Sequence, residues 1–345
     1  MQVTTDGSSV TADSSGDGDW GEHDPSVFSM TKVGGDGLRG EYQLTNGLGP
    51  DRAPGVMTEH WQTFIGKEDF QFMKEKGLDA VRIPVGWWIE KDANPPAPFV
   101  GGSLGALDNA FEWAGETGLK VIIDVHAVPG SQNGYEHSGT RDGSLEWGAT
   151  GDSIRDTVAV VDFLAGRYAG NDNLVAVELL NEPARAVKLE TLQEYYQAGY
   201  DAVRKHTDSA LIIMSARVGV DTDSEILAFA GGFEGTVLDV HYYNLFSGMF
   251  DGMTVQQNID YVHNKRAQQL GAITRSNGQP LTFVGEWVAE WQVQGATKEE
   301  YQRFGKAQME VFGRATFGWA YWTFRNVHNH WSLHWMITNG YISLR

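Results

Sequence analysis

The 345-residue chain contains no cysteine, which excludes disulfide bridges and thiolate metal sites. It also lacks any run of about 18 uncharged apolar residues, so the sequence predicts no membrane span. Basic residues are scarce, since 26 Lys and Arg stand against 45 Asp and Glu, and the net charge is −19. Such a surface repels phosphate backbones, which argues against a nucleic-acid partner but not against a neutral sugar.

The composition divides the chain into two parts. Residues 1–25 are rich in Gly, Asp, Ser and Thr, as is typical of a linker or of the remnant of an upstream domain. Residues 26–345 have the length and apolar content of one large domain. No charged-then-apolar signal peptide follows Met1, and this absence leaves the compartment open.

From about residue 60, short β-branched runs alternate with amphipathic segments, which predicts a parallel sheet with helical crossovers. The runs are apolar throughout, as expected of strands buried on both faces. The predicted strands are Leu78–Pro84, Lys120–His126, Leu174–Asn181, Ala210–Ser215, Thr236–Tyr243, Leu281–Trp287 and Gly318–Thr323. The predicted helices are Gly66–Lys76, Leu104–Thr117, Ile154–Tyr168, Leu189–His206, Val255–Leu270 and Lys298–Phe312.

This order favours an α/β fold of the (β/α)8 TIM-barrel type, which needs eight strands, whereas seven are predicted. Val27–Val33 is the one upstream candidate, but it alternates as a half-exposed strand does. We therefore expect the barrel to lack its first strand and to be open between the strands that carry Arg82 and Trp322. An open doubly wound sheet is the alternative, and the lack of a Gly-rich phosphate loop disfavours it.

Polar and aromatic residues gather where the predicted strands end. The carboxyl ends of barrel strands meet at one face, where active sites are built. Six strands are therefore expected to place polar or aromatic side chains at one rim. These residues are Arg82, Asp124, His126, Asn181, Glu182, His241, Tyr243, Glu286 and Trp322.

Two carboxylates at this rim indicate glycoside hydrolysis. Glu182 and Glu286 each follow a buried strand, where an ionised group is costly unless it is paired or functional. Cleavage of a glycosidic bond needs two carboxyl groups that flank the bond. A structural pairing with Arg would explain one isolated Glu better, but two such residues beside Asn, His and Tyr favour catalysis.

The other ionisable residues near the rim are weaker candidates. We expect Glu178 to be a structural partner inside the barrel, Asp124 to be a buried hydrogen-bond partner, and Glu290 to be within reach of substrate. The histidines at 328, 330 and 334 are interleaved with Trp331 and Trp335 and lack zinc-protease spacing. No metal and no cofactor is therefore predicted.

The residues match a known family. Arg82–Gly86, Asp124–His126, Leu180–Pro183, His241–Tyr243, Gly285–Trp287 and Tyr321–Thr323 resemble, in order, the motifs of glycoside hydrolase family 5. The loop Ser131–Gly139 resembles that of the exo-β-1,3-glucanase branch. The segments Thr282–Gln292 and Phe317–Trp335 are most similar to plant members of that branch, which carry a fascin-like domain near the N-terminus.

The resemblance implies a retaining mechanism, with Glu182 as acid/base and Glu286 as nucleophile. It implies substrate binding by eight residues. Asn181 would bind the sugar 2-hydroxyl, Arg82 and Tyr243 would hold Glu286 ionised, and His241 would sit near Glu182. His126 would contact the sugar whose bond is cleaved, and Trp322 would form the floor of its subsite. Tyr135 and Phe246 would clamp the next sugar. The implied partner is a β-glucan, and the implied location is extracellular or in the cell wall.

One feature departs from the family. The Gly-Val-Asn-Leu-Gly-Gly-Trp-like first strand of the family has no counterpart here. In the plant branch that strand precedes the inserted domain. The chain therefore resembles a fragment that begins at the end of the insert and continues into the catalytic domain. Two rivals stay open: an endo-acting cellulase or mannanase of the same family, and a non-catalytic glucan-binding barrel that results from truncation.

Overall fold

The computed structural model describes residues 2–4, 40–220, 222–275, 278 and 280–344. Eight parallel strands form a closed barrel in which each strand lies beside its neighbour in the chain. The strands are β1 Gln2–Thr4, β2 Ala80–Gly86, β3 Lys120–Ala127, β4 Leu174–Glu178, β5 Leu211–Ser215, β6 Thr236–His241, β7 Leu281–Trp287 and β8 Gly318–Tyr321. The seven strands that the sequence predicted are confirmed, with ends that differ by a few residues.

Helices follow the strands and cover the outside of the barrel. The described helices are α1 Gly40–Leu48, α2 Ala53–Thr63, α3 Lys67–Glu75, α4 Ser103–Thr117, α5 Gly151–Tyr168, α6 Leu189–Arg204, α7 Leu227–Ala230, α8 Val255–Tyr261, α9 Ala267–Ile273, α10 Lys298–Phe312 and α11 Leu333–Thr338. A π-helical turn, Val262–Arg266, joins α8 to α9, so the predicted single helix is continuous but irregular. None of the described helices has the length and apolar character needed to cross a membrane.

The expectation of a missing first strand is wrong. Gln2–Thr4 pairs with Ala80–Arg82 on one side, and Gln2 and Val3 pair with Ala320 and Tyr321 on the other. These three residues lie within the segment 1–25 and are too few to produce the period-two pattern by which a strand is recognised in a sequence. The predicted seam between β2 and β8 is therefore closed. Val27–Val33 lies outside the described residues, and the division at residue 25 stays a proposal.

The barrel interior is apolar at one level and polar at the next. Residues two apart in a strand face the same side. Six buried residues, one from each of six strands, contact one another and fill the lower interior: Ile122, Ala176, Ile213, Val237, Phe283 and Ala320. Two residues further along three of these strands come Asp124, Glu178 and Asp239, all fully buried. The inward positions thus change from apolar to charged towards the carboxyl ends of the strands.

Candidate active site

The Arg82 guanidinium is the centre of the charged layer, and it is fully buried. It donates to both carboxylate oxygens of Glu178, from Nε at 2.6 Å and from Nη2 at 3.0 Å. Nη2 also lies 2.7 Å from Asn181 Oδ1 and 2.9 Å from Asp124 Oδ2. A buried cation needs such partners, because an unpaired charge in the interior is strongly destabilising. Glu178 and Asp124 are structural partners, as the sequence predicted.

Glu286 accepts from Nη1, the remaining nitrogen of the Arg82 guanidinium. Nη1 of Arg82 donates to Oε1 at 2.9 Å, and the Tyr243 hydroxyl donates to Oε2 at 2.7 Å. Burial raises the pKa of Tyr243 well above its usual value, and the nearby Glu286 charge raises it further, so the phenol stays a donor. Both oxygens of Glu286 are therefore held, and the carboxylate has one orientation.

Glu182 lies opposite, between two imidazoles. His241 Nδ1 is 2.7 Å from Oε1, and His137 Nε2 is 3.5 Å from Oε2. One carboxylate oxygen each from Glu182 and Glu286 lie within 4.8 Å of each other and of a His241 nitrogen. Retaining glycosidases have carboxyl groups about 5–5.5 Å apart, whereas inverting enzymes leave roughly 6.5–9.5 Å for a water molecule. These two oxygens lie closer together than the separation that inverting enzymes leave, which favours the retaining arrangement.

A register shift at the end of β7 turns Glu286 into the barrel. Strict alternation after the inward Phe283 would make Gly285 face inward and Glu286 outward. The pairing of β6 with β7 shifts after Val240, so that His241 lies opposite Glu286, and an irregularity of this kind re-aims a side chain. Gly285 permits the close approach: its N–H donates to Asp239 Oδ1 at 2.7 Å, and a Cβ there would lie 2.3 Å from that oxygen.

The histidines of two Asp-x-His pairs at this level differ in charge. Asp124 Oδ2 accepts from His126 Nδ1 at 2.7 Å, and Asp239 Oδ2 accepts from His241 Nε2 at 2.9 Å. Burial lowers the pKa of His126 to about 3, and Arg82 nearby lowers it as well. Burial would also lower the pKa of His241, but Glu286, Asp239 and Glu182 together raise it well above its usual value. His126 is therefore neutral, and His241 is an imidazolium.

The charge of His241 decides the state of Glu182. Burial alone would raise the pKa of the Glu182 carboxyl, but the His241 charge and hydrogen bond outweigh burial and lower the pKa to about 2. In the unliganded site, the proton that the two groups share thus resides on His241. A transfer along the 2.7 Å hydrogen bond between them would place it on the carboxyl group.

The backbone at Glu182 is strained and supported by a loop. Glu182 has φ +44°, a left-handed conformation that non-glycine residues adopt mainly where the surroundings enforce it. Asn133 Nδ2 donates to the Glu182 carbonyl at 3.1 Å, and the buried Gln132 amide donates to the carbonyls of His126 and Asn181 at 2.7 and 2.9 Å. The loop after β3 thus fixes the chain on either side of the acidic side chain.

Aromatic residues surround the charged centre. The rings of His126 and Trp322 are parallel to within 4°, with centroids 5.3 Å apart. Tyr135 and Phe246 are each 47% exposed, which leaves both rings open to a ligand and contradicts a core position for Phe246. Phe246 also packs near Tyr243 and Trp331, with centroids 5.2 and 6.0 Å away.

The remaining carboxylate at the rim has structural partners. Glu290 accepts from the Tyr301 hydroxyl at 2.9 Å and lies 2.8 Å from His330 Nδ1. His334 instead packs against Phe72 and Phe324. In the described part of the chain, the groups with metal-like geometry are Glu178, Asp239 and His241, and Glu182, His241 and Glu286. Arg82 and His241 already pair with these carboxylates, so a cation would have to displace them.

All ten residues that the sequence placed in the site lie at this rim or border it. Five further residues contribute to the site and were not predicted from the sequence: Gln132, Asn133, His137, Asp239 and Gly285. Asp239 could have been found, because it repeats the two-residue spacing of Asp124 and His126. Gln132, Asn133 and His137 could not, because their roles depend on a loop folding over the rim, and Gly285 could not, because its role depends on the close approach of Asp239 from the neighbouring strand.

Known proteins share this sequence and architecture. The family model described as cellulase, glycosyl hydrolase family 5, matches residues 49–327. A probable glucan 1,3-beta-glucosidase A of Emericella nidulans is 32% identical over 92% of this chain and 85% of its own length. Its namesake in Aspergillus fumigatus is 39% identical over 76% of this chain, which spans only 60% of that relative.

Solved structures agree in fold. The rutinosidase from Aspergillus niger has a TM-score of 0.76 at 20% identity, over 90% of this chain and 91% of its own. Endoglucanase Cel5A from Thermotoga maritima has a TM-score of 0.58 at 18% identity, over 80% and 86%. The matched family region contains the whole rim from Arg82 to Trp322. The chain belongs to glycosyl hydrolase family 5 and is a glycoside hydrolase.

Proposed function

We propose that this enzyme is a retaining β-glucosidase that removes glucose from the ends of β-1,3-glucan, with Glu286 as nucleophile and Glu182 as acid/base. The observation that carries the mechanism is the approach of the Glu182 and Glu286 oxygens to within 4.8 Å at the mouth of the barrel. The names of the curated relatives support the substrate and the exo mode. An extracellular or cell-wall location is proposed from the resemblance to the family.

The chemistry proceeds in two steps. Glu286, oriented by Arg82 and Tyr243, attacks the anomeric carbon while Glu182 protonates the departing oxygen, and the glycosidic bond breaks. The proton comes from the pair that Glu182 forms with His241. Water then attacks the glycosyl-enzyme, with Glu182 accepting its proton, and the sugar leaves with its original anomeric configuration.

The surrounding residues bind the sugar. Asn181, whose Oδ1 is held by Arg82, is placed to bind the 2-hydroxyl next to the nucleophile, and this contact strengthens in the transition state. The neutral His126 and the Trp322 ring that stacks on it form one wall of the subsite for the cleaved sugar. Tyr135 and Phe246 extend from the rim to clamp the sugar that leaves.

Hydrolysis of laminarin tests the proposal. The purified chain should release glucose as its main product, initially as the β-anomer by NMR, and should shorten oligosaccharides labelled at the reducing end one residue at a time. Carboxymethylcellulose and mannan are the matched alternatives. Internal cleavage of either would favour the endo-acting rival, initial α-glucose would contradict retention, and binding of laminarin without turnover would favour the non-catalytic barrel.

The clamp gives a separate expectation. Tyr135→Ala and Phe246→Ala should each raise KM for laminaritriose by about tenfold, which corresponds to the ~1.4 kcal/mol of one stacked ring, and should change KM for an aryl glucoside less. Steady-state kinetics on both substrates measures the difference. Met249→Ala is the control, because Met249 is also apolar and is 51% exposed. Equal changes on both substrates would contradict the clamp.

A further inference from the structure

His137 is a third imidazole at the acid/base, beside His126 and His241. Its Nε2 lies 3.5 Å from Glu182 Oε2, the oxygen that His241 leaves free. Its ring lies 5.1 Å from that of His126 and 5.7 Å from that of Tyr135. The side chain is only 13% exposed. Its contacts with His126 and Tyr135 place it between the proposed subsite of the cleaved sugar and the clamp.

The loop around His137 is built to hold the ring in place. Ser131 Oγ and Ser138 Oγ are 2.5 Å apart, and Ser138 Oγ donates to the Tyr135 carbonyl at 2.6 Å. Ser131 has φ +61°, and its hydroxyl also accepts from the Gly134 N–H at 2.8 Å. These contacts close the loop on itself and fix the backbone that carries His137.

The groups that face His137 make it a neutral donor. Burial lowers its pKa to about 4, and His126 lowers it too, whereas Glu182, Glu286 and Glu136 raise it. The neutral ring has one N–H, and the carboxylate beside Nε2 favours that tautomer. Nδ1 is buried and has no hydrogen-bond partner in the part of the chain that the structure describes. His137 therefore presents its N–H to Glu182.

We propose that His137 is a positioning residue for the acid/base: its Nε2–H holds Oε2 of Glu182 while His241 holds Oε1. With both oxygens contacted, the plane of the carboxyl group is set, and the 3.5 Å contact of His137 is the weaker of the two. His137 takes up no proton in either step. The inference rests on the proposed function. It gives His137 a role different from that of Tyr135, which would bind the leaving sugar directly.

Three substitutions test this role. His137→Phe keeps the ring against His126 and Tyr135 but lacks the donor, His137→Gln places an amide N–H near the position of Nε2, and His137→Ala removes both. The substrates are laminaribiose, which needs acid assistance, and 2,4-dinitrophenyl β-glucoside, which does not. We expect His137→Phe and His137→Ala to lower kcat/KM about tenfold on laminaribiose and less than about twofold on the aryl glucoside. His137→Gln should recover most of the loss.

Equal losses on both substrates, no loss, or a Gln variant no better than Phe would each overturn the inference. Melting temperatures accompany the kinetics, and if the Phe variant does not fold, the Ala and Gln variants are compared by the same criterion. The parent enzyme and Glu182→Gln are measured alongside. If these two do not show the dependence on leaving group, the proposed function fails; if they do and the His137 variants do not, only the inference fails.

Discussion

Glu286→Gln is expected to abolish hydrolysis while leaving sugar binding largely intact, with kcat lower by at least about 10⁴-fold on every substrate. The amide has the shape of the carboxylate but cannot form the covalent bond to the anomeric carbon. Its carbonyl oxygen can still accept from Arg82 Nη1, which lies 2.9 Å from Oε1, and its NH2 group can donate to the Tyr243 hydroxyl oxygen, which lies 2.7 Å from Oε2. The variant should therefore keep the geometry of the site and lose only the first chemical step.

Mechanism-based labelling measures this directly. A 2-fluoro-2-deoxy-glucoside with a good leaving group should add one sugar to the parent enzyme, on a peptide that contains Glu286, as seen by mass spectrometry. Glu286→Gln should stay unlabelled. Glu310→Gln is the control, since it makes the same chemical change on a side chain of α10 that is 51% exposed. A label on another residue would remove the nucleophile assignment.

Glu182→Gln should slow the enzyme in proportion to the difficulty of the leaving group. Proton transfer by a positioned side chain contributes about 10²–10⁴-fold, and we expect a loss of this size in kcat/KM on laminaribiose. On 2,4-dinitrophenyl β-glucoside, kcat/KM reports a first step that needs no acid and should fall much less. The second step loses its base, so kcat should fall on both substrates.

Azide distinguishes the two roles of Glu182. This small anion attacks the glycosyl-enzyme without a base and should raise kcat of Glu182→Gln on the aryl glucoside, with β-glucosyl azide as product. Glu310→Gln should show neither the loss nor the rescue. Equal loss of kcat/KM on both substrates, with no effect of azide, would mean that another group is the acid.

The sequence determined much of this architecture before any coordinates. Seven strands could be located because both faces of each are buried and the runs are nearly continuous in apolar residues. The polar residues that end these runs had to meet at one rim, because parallel strands of a barrel share one carboxyl face. Glu182 and Glu286 could therefore be paired from sequence, although they lie 104 positions apart.

Only the tertiary structure could decide the closure of the barrel and the orientation and charge of the side chains at its rim. Gln2–Thr4 becomes a strand because β2 and β8 offer unpaired backbone groups on either side, not because three residues carry a pattern. Glu286 faces inward because the register of β6 and β7 shifts after Val240. The charges of His126 and His241 differ although the sequence around them is the same Asp-Val-His. Burial, with Arg82 nearby, lowers the pKa of His126, whereas three carboxylates outweigh burial and raise the pKa of His241. Electrostatic environment is a property of neighbours in space, and a linear motif does not contain it.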